Sequence, residues 1–112
     1  MDRVINISGR EQVLRANALL PRKYRHIFGR DLIADMNKLV ESYKKSDKKD
    51  LDVEIFENLT WLMLREGGEN VGGSPEEWLA SVDDVLAIYE VLPVVVELWV
   101  SNQKTTAIAK KK

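Results

Sequence analysis

Cysteine is absent from the chain, and histidine occurs once, at His26. Without cysteine there is no disulfide framework and no thiolate metal site, an absence that fits a cytosolic protein. One histidine falls short of the three or four converging ligands of a zinc-type centre, and nothing of ligand type is spaced around it. His26 therefore reads as part of a polar helix face or a partner surface. Long apolar runs are missing too: Val94-Val95-Val96 gives way to Glu97, well short of the roughly 18 residues that a membrane span needs. The start, Met1 to Asn6, lacks the basic-then-apolar order of a secretory signal. Nor does either sign of charge dominate. Seventeen basic against eighteen acidic residues leave a net charge of -1, which argues against a general nucleic-acid or membrane binder.

What is present suits one domain. A chain of 112 residues, 45% hydrophobic and 31% charged, can enclose one modest core. Val4-Ile5-Asn6-Ile7 is short and β-branched, Ser8-Gly9 is a turn signal, and Gln12-Val13-Leu14-Arg15 returns as a second strand. Such a hairpin, placed at 4–15, is marginal alone. It must pack on helices or pair with another chain, and the second option leaves an unpaired edge for oligomerisation.

Beyond Leu19 the apolar spacing changes to that of helices. Pro21 opens a short helix with Tyr24, Ile27 and Phe28 on one side, interrupted at Gly29. Asp31 caps the next, whose stripe is Leu32, Ile33, Met36, Leu39, Val40 and Tyr43. Lys44 to Asp50 is a charged, solvated linker. Asp52 caps a third helix, with Val53, Phe56, Leu59, Thr60 and Met63 inward and Trp61 and Leu62 widening the face. Gly67 to Gly73 reads as a flexible loop. Ser74-Pro75-Glu76-Glu77 starts a further helix: Ser74 as cap, Pro75 at the first position, Glu77 at the third, with Trp78 and Leu79 turning inward. Ser81 and Asp84 repeat the cap pattern for a final helix burying Val82, Val85, Leu86, Ile88, Tyr89 and Leu92. Pro93 kinks or divides it, Val96, Trp99 and Val100 continue the apolar face, Ser101 to Lys104 turns polar, and the remainder to Lys112 frays. The expected fold is mainly α, an N-terminal β-hairpin followed by a compact bundle of four to five helices. Residues 1–108 form the single domain, and 109–112, Ala-Lys-Lys-Lys, a basic C-terminal tail.

Candidate chemistry is thin. Asp83-Asp84, Glu76-Glu77 and Asp47/Asp50 are carboxylate pairs of a kind used by glycosidases and two-metal sites. Adjacent helical residues point about 100° apart, so capping and solvation explain the helical pairs better. The Gly67-Gly68 and Gly72-Gly73 doublets lack the lysine and hydroxyl of a phosphate loop. Arg22, Lys23, Arg25 and Arg30, interleaved with Tyr24 and Phe28, form a basic patch able to stack a base and hold phosphate, although Asp31 and Asp35 cancel its field. Trp61, Trp78 and Trp99 are many large amphipathic side chains for a small core, and one half exposed at an interface is expected.

Several stretches resemble the tail assembly chaperones of long-tailed bacteriophages that infect Gram-positive bacteria. They are Ile5-Asn6-Ile7-Ser8-Gly9-Arg10-Glu11, Phe28-Gly29-Arg30-Asp31-Leu32-Ile33 and Phe56-Glu57-Asn58-Leu59-Thr60-Trp61-Leu62-Met63. Pro75-Glu76-Glu77-Trp78-Leu79 and Glu97-Leu98-Trp99-Val100-Ser101-Asn102 follow in order, then the lysine run. The glycine-rich stretch 67–73 lies outside the likeness. The resemblance implies a non-catalytic protein without cofactors, in the cytoplasm of the bacterial host and absent from the mature virion. It implies binding to the tape measure protein, recruitment of the tail tube protein, and self-association along the client. It also implies a frameshifted longer form, and Lys110-Lys111-Lys112 is compatible with a slippery codon run. Tyr24, Phe28, Trp61 and Trp99 are the expected contacts, with Arg30 and Asp31 positioning the element. The alternative is a small helical DNA-binding regulator using Arg22, Lys23, Arg25 and Arg30. An enzyme would need His26 gathered with distant carboxylates.

Overall fold

A computed structural model describes residues 1–45 and 52–110, with 102–110 described by backbone alone. The predicted charged linker from Lys44 therefore falls mostly outside the described residues, as do Asp47, Asp50 and the last two lysines. The fold is the expected one: an antiparallel hairpin of β1 (Asp2–Ile7) and β2 (Arg10–Arg15), then helical segments packed together. These are α1 (Leu20–Phe28), α2 (Leu32–Lys44), α3 (Val53–Glu66), α4 (Pro75–Ser81), α5 (Val85–Tyr89) and α6 (Leu92–Lys110).

Ser8 and Gly9 both take positive φ, 53° and 85°, the backbone that a two-residue loop needs to match strand twist. Gly9 N–H donates to Asn6 Oδ1 at 2.8 Å, which helps hold the turn. Ile7 then pairs with Arg10, Ile5 with Gln12 and Arg3 with Leu14. Strand alternation sends Ile5, Ile7 and Leu14 into the core.

The helix starts carry their own signals. Asp31 accepts from Ile33 and Ala34 N–H, and Asp52 from Ile55 N–H, as expected of helix caps. Ser74 accepts from Glu77 N–H at 3.2 Å. The return bond of this cap falls one residue earlier than in a standard box, from Gly73 N–H to Glu77 Oε2.

α3 is the hub. It touches β2, α1, α2, α4 and α6, and every residue from Leu59 to Leu64 is buried. Thr60 is satisfied there by donating to the Phe56 carbonyl. The stripe predicted for α2 is inward at Leu32, Met36 and Leu39, whereas Ile33 is 49% exposed.

Several expectations need correction. All three tryptophans are buried: Trp61 at 0%, Trp78 at 3% and Trp99 at 6% exposure. A domain built around one central helix has core on several sides of that helix, so no tryptophan is forced outward. The glycine-rich loop is tied down rather than free. Val71 is buried, its carbonyl accepts from Trp61 Nε1, and Glu69 accepts from Val13 N–H at 2.8 Å.

The final helix is divided into α5 and α6 ahead of Pro93, which sits in the first turn of α6, where its missing N–H leaves no vacancy. That division gives six helical segments among the described residues. Asp84 alone caps α5, while Ser81 ends α4 and donates to the Trp78 carbonyl. Val85 and Leu86, expected inward, are 70% and 67% exposed, and Tyr89 is 40% exposed; only Ala87 and Ile88 of α5 are buried. A helix so short presents a single inward edge. At the other end, helical backbone runs on to Lys110, through the stretch after Lys104 expected to fray.

A polar triad, Tyr24 and Asp35 buried and Arg30 reaching in from the surface, closes one flank. Asp35 accepts from Tyr24 Oη at 2.8 Å and, in a two-pronged contact, from Arg30 Nε at 2.7 Å and Nη2 at 2.8 Å. The Arg30 hydrogen bond, reinforced by Tyr24, holds the Asp35 carboxyl below the usual carboxylate range against the opposing effect of burial. Burial first and Asp35 second push the Tyr24 phenol upward.

Two tests follow from this packing. A methyl group at Gly67 would run into the Val13 carbonyl oxygen, so Gly67→Ala should cost about 1–3 kcal/mol in urea unfolding. Asp35→Asn should cost about 1–3 kcal/mol at neutral pH, reduced because the Arg30 side chain is 52% solvent-exposed. Since the folded carboxyl titrates below its unfolded value of about 3.9, its contribution is full above that value. It is lost as pH falls through the lower folded value. Acid unfolding followed by circular dichroism should therefore show a shallower acid limb in the Asn variant.

Candidate functional site

The expected contact residues do not share one surface. Tyr24 and Trp61 are fully enclosed and Trp99 is nearly so, so each acts on the fold and offers the exterior almost nothing. Arg30 is held by Asp35, and Asp31 is the α2 cap. Phe28 is the exception. It lies half-buried at the end of α1, its ring 4.9 Å from Tyr24 and 6.0 Å edge-on to Trp61. Gly29 ends α1 with φ 67°, turning the chain away and leaving that corner open.

Beside Phe28 runs a groove of about 460 Å³ between the end of α1, the first turns of α3 and the start of α4. Ile27, Phe28, Pro75 and Leu79 give it apolar walls, while Glu54, Glu57 and Glu76 are its charged members, with no basic side chain among them. Ile27 is 43% exposed. The origin of the acidic rim is local. Glu54 and Glu57 sit three apart on α3 and so share a helix face, and Glu76 belongs to the acidic first turn of α4. Glu76 and Glu77 diverge, as adjacent helical residues must: Glu77 turns back to the Gly73 N–H and Glu76 faces the groove.

Burial raises the Glu57 carboxyl above its ordinary value, and the neighbouring Glu54 charge adds to the effect, while a hydrogen bond from Tyr89 opposes it. That bond, 3.4 Å from Tyr89 Oη to Glu57 Oε2, joins α5 to the groove, and the Tyr89 ring lies 6.3 Å from Phe56. Tyr89, itself 40% exposed, thus connects the groove to α5. Same-sign carboxylates around an apolar channel suit a segment that brings aliphatic side chains flanked by lysine or arginine.

Another hollow of about 460 Å³ lies at the hairpin tip, but it mixes Arg10 with Glu69, Asp83 and Asp84. Glu69 is already bonded to Val13 N–H and Asp84 to Leu86 N–H. Its field has no single sign to select a ligand. His26 is exposed on α1, and no group of three or more potential metal ligands converges among the described residues. In the basic patch, Lys23 pairs with Glu66 at 2.8 Å and Arg30 with Asp35 at 2.7 Å. Arg22 and Arg25 carry no such pair among the described residues. No helix among those residues is long and apolar enough to cross a membrane.

Comparison with protein-family models, with curated proteins and with solved structures finds no match for this chain.

Of the groove residues, Phe28 is a contact candidate from the sequence, whereas Ile27, Glu54, Glu57, Glu76 and Leu79 are not. Glu76 carried a visible signal as a helix-start acid. Glu57 carried none, because its importance comes from elements far along the chain. Two outcomes check this site. Glu57→Gln relieves a partly desolvated charge and should leave stability unchanged or raise it by about 0.5 kcal/mol, read from thermal unfolding at pH 7. Phe28→Ala should cost about 2–4 kcal/mol, toward the lower part of the range for core aromatics because the ring is half-solvated.

Proposed function

We propose that this chain is a non-catalytic phage tail assembly chaperone that holds the tape measure protein soluble until tail assembly. The observation that supports this reading is the acid-rimmed apolar groove beside Phe28. A tape measure protein is long and helical, and its apolar stripes need cover until the tail tube forms around it. An apolar channel with carboxylates at its rim receives such a stripe where basic residues flank it. Because the rim is exposed and charged, the bound segment can leave without stranding a buried ion. The ordered resemblance along nearly the whole chain gives the same reading from a separate direction. On this view the chain acts in the cytoplasm of the bacterial host, aids recruitment of the tail tube protein, and is displaced before the virion is complete.

Co-expression with the tape measure protein, followed by size-exclusion chromatography with light scattering, tests the proposal. A soluble co-eluting complex is expected. Glu54→Lys with Glu76→Lys should weaken it about tenfold or more, since each reversal replaces an attraction by a repulsion at the rim. Affinity should also fall as pH drops through the raised Glu57 value, because the protonated carboxyl no longer attracts a cation. An insoluble client beside an unbound chain would overturn the reading. Salt-dependent duplex binding through Arg22 and Arg25 would move the DNA-binding alternative to the front.

A further inference from the structure

The hairpin has two edges, and they are treated differently. Ala16 N–H donates to the Met1 carbonyl and the Met1 amino group to the Ala16 carbonyl, both at 2.9 Å, which fixes the phase of the ladder. With the observed register, Arg3, Ile5 and Ile7 bond to β2, while Asp2, Val4 and Asn6 turn their backbone N–H and C=O outward. On the β2 side the central outward residue, Val13, is covered. Glu69 takes the Val13 N–H, and Gly67 lies against the Val13 carbonyl. On the β1 side no hydrogen bond among the described residues reaches the outward groups of Val4 or Asn6. β1 holds no proline, no lysine and no bulge, its two charges, Asp2 and Arg3, stand at its start, and the Val4 side chain at its middle is 60% exposed.

We infer that β1 pairs antiparallel with β1 of a second copy, joining two hairpins into a continuous four-stranded sheet about a two-fold axis through Val4. The occupant follows from the strand's own pattern. With the axis at Val4, the outward-facing sets match: Val4 faces Val4 and Asp2 faces Asn6, so every outward N–H finds a carbonyl. An axis at Arg3 would set like charges opposite each other, and an axis at Ile5 would bring Asp2 against Ser8, whose turn backbone cannot pair.

Charge supports the same register. Beside the β1 edge lies a groove of about 230 Å³ bounded by Glu90, Val91 and Val94, and Glu90 is exposed with no ion pair among the described residues. The second strand brings its Arg3 opposite Ile5, on the face that looks into this groove. Arg3 is available for it, because its contact with Glu97 is long, 3.4 Å, and lies between exposed side chains. This pairing does not depend on the chaperone reading, since it concerns the chain alone.

The test uses the full chain without client. Light scattering over a dilution series should show a monomer–dimer equilibrium, and Val4→Lys should weaken the dimer about fivefold or more while leaving the thermal midpoint of the dilute chain in place. The register is read by cross-linking, which the absence of native cysteine makes clean. Asp2→Cys chains mixed with Asn6→Cys chains should form mixed disulfides well above either alone. A chain that stays monomeric throughout, or one whose Asp2→Cys form links to itself as readily as to Asn6→Cys, would overturn the inference.

Discussion

From Leu59 to Leu64 every side chain of α3 is removed from water, so each surrounding element must supply a surface for it. β2, α1, α2, α4 and α6 do so. Trp61 shows how tightly the arrangement is coupled. Its N–H is satisfied by the Val71 carbonyl, its ring meets the edge of Phe28, and the Arg65 guanidinium lies 5.3 Å from its centroid. The loop, the end of α1 and the end of α3 are therefore set by one side chain. A buried indole N–H without an acceptor is costly, which explains why a glycine-rich stretch is drawn in and held.

The same coupling creates the candidate site. Because α3 is enclosed through its middle, its solvent-facing positions lie toward its two ends, and near the start Glu54 and Glu57 emerge between α1 and α4. Phe28 shields the core and lines the groove at once. The polar triad of Tyr24, Arg30 and Asp35 anchors the α1–α2 corner next to it, so the groove wall rests on a satisfied network. Recognition and stability share these residues, and substitution at Phe28 affects both.

The contrast between the hairpin edges follows from the same packing. β2 faces the C-terminal end of α3, whose loop supplies Glu69 and the close approach at Gly67. β1 faces the junction of α5 and α6, which stops short of its edge and leaves a groove. A bundle centred on one helix covers only one side of a two-stranded sheet. The remaining edge is where a second chain can add without disturbing the core.

Local chemistry was legible in the residues. The Ser8-Gly9 turn, the caps at Asp31, Asp52 and Ser74, the break at Pro93 and the inward set of α3 follow from short-range sterics and hydrogen bonding, which act within a few residues. Tertiary structure decided what short-range rules cannot reach. It buried all three tryptophans, because a central helix gives core on several sides. It left Val85 and Leu86 outside, because a helix as short as α5 has only one edge to bury. It also gathered Ile27, Glu57, Glu76 and Leu79 into one groove, since residues so far apart in the chain meet only through the packing of α1 and α4 on α3.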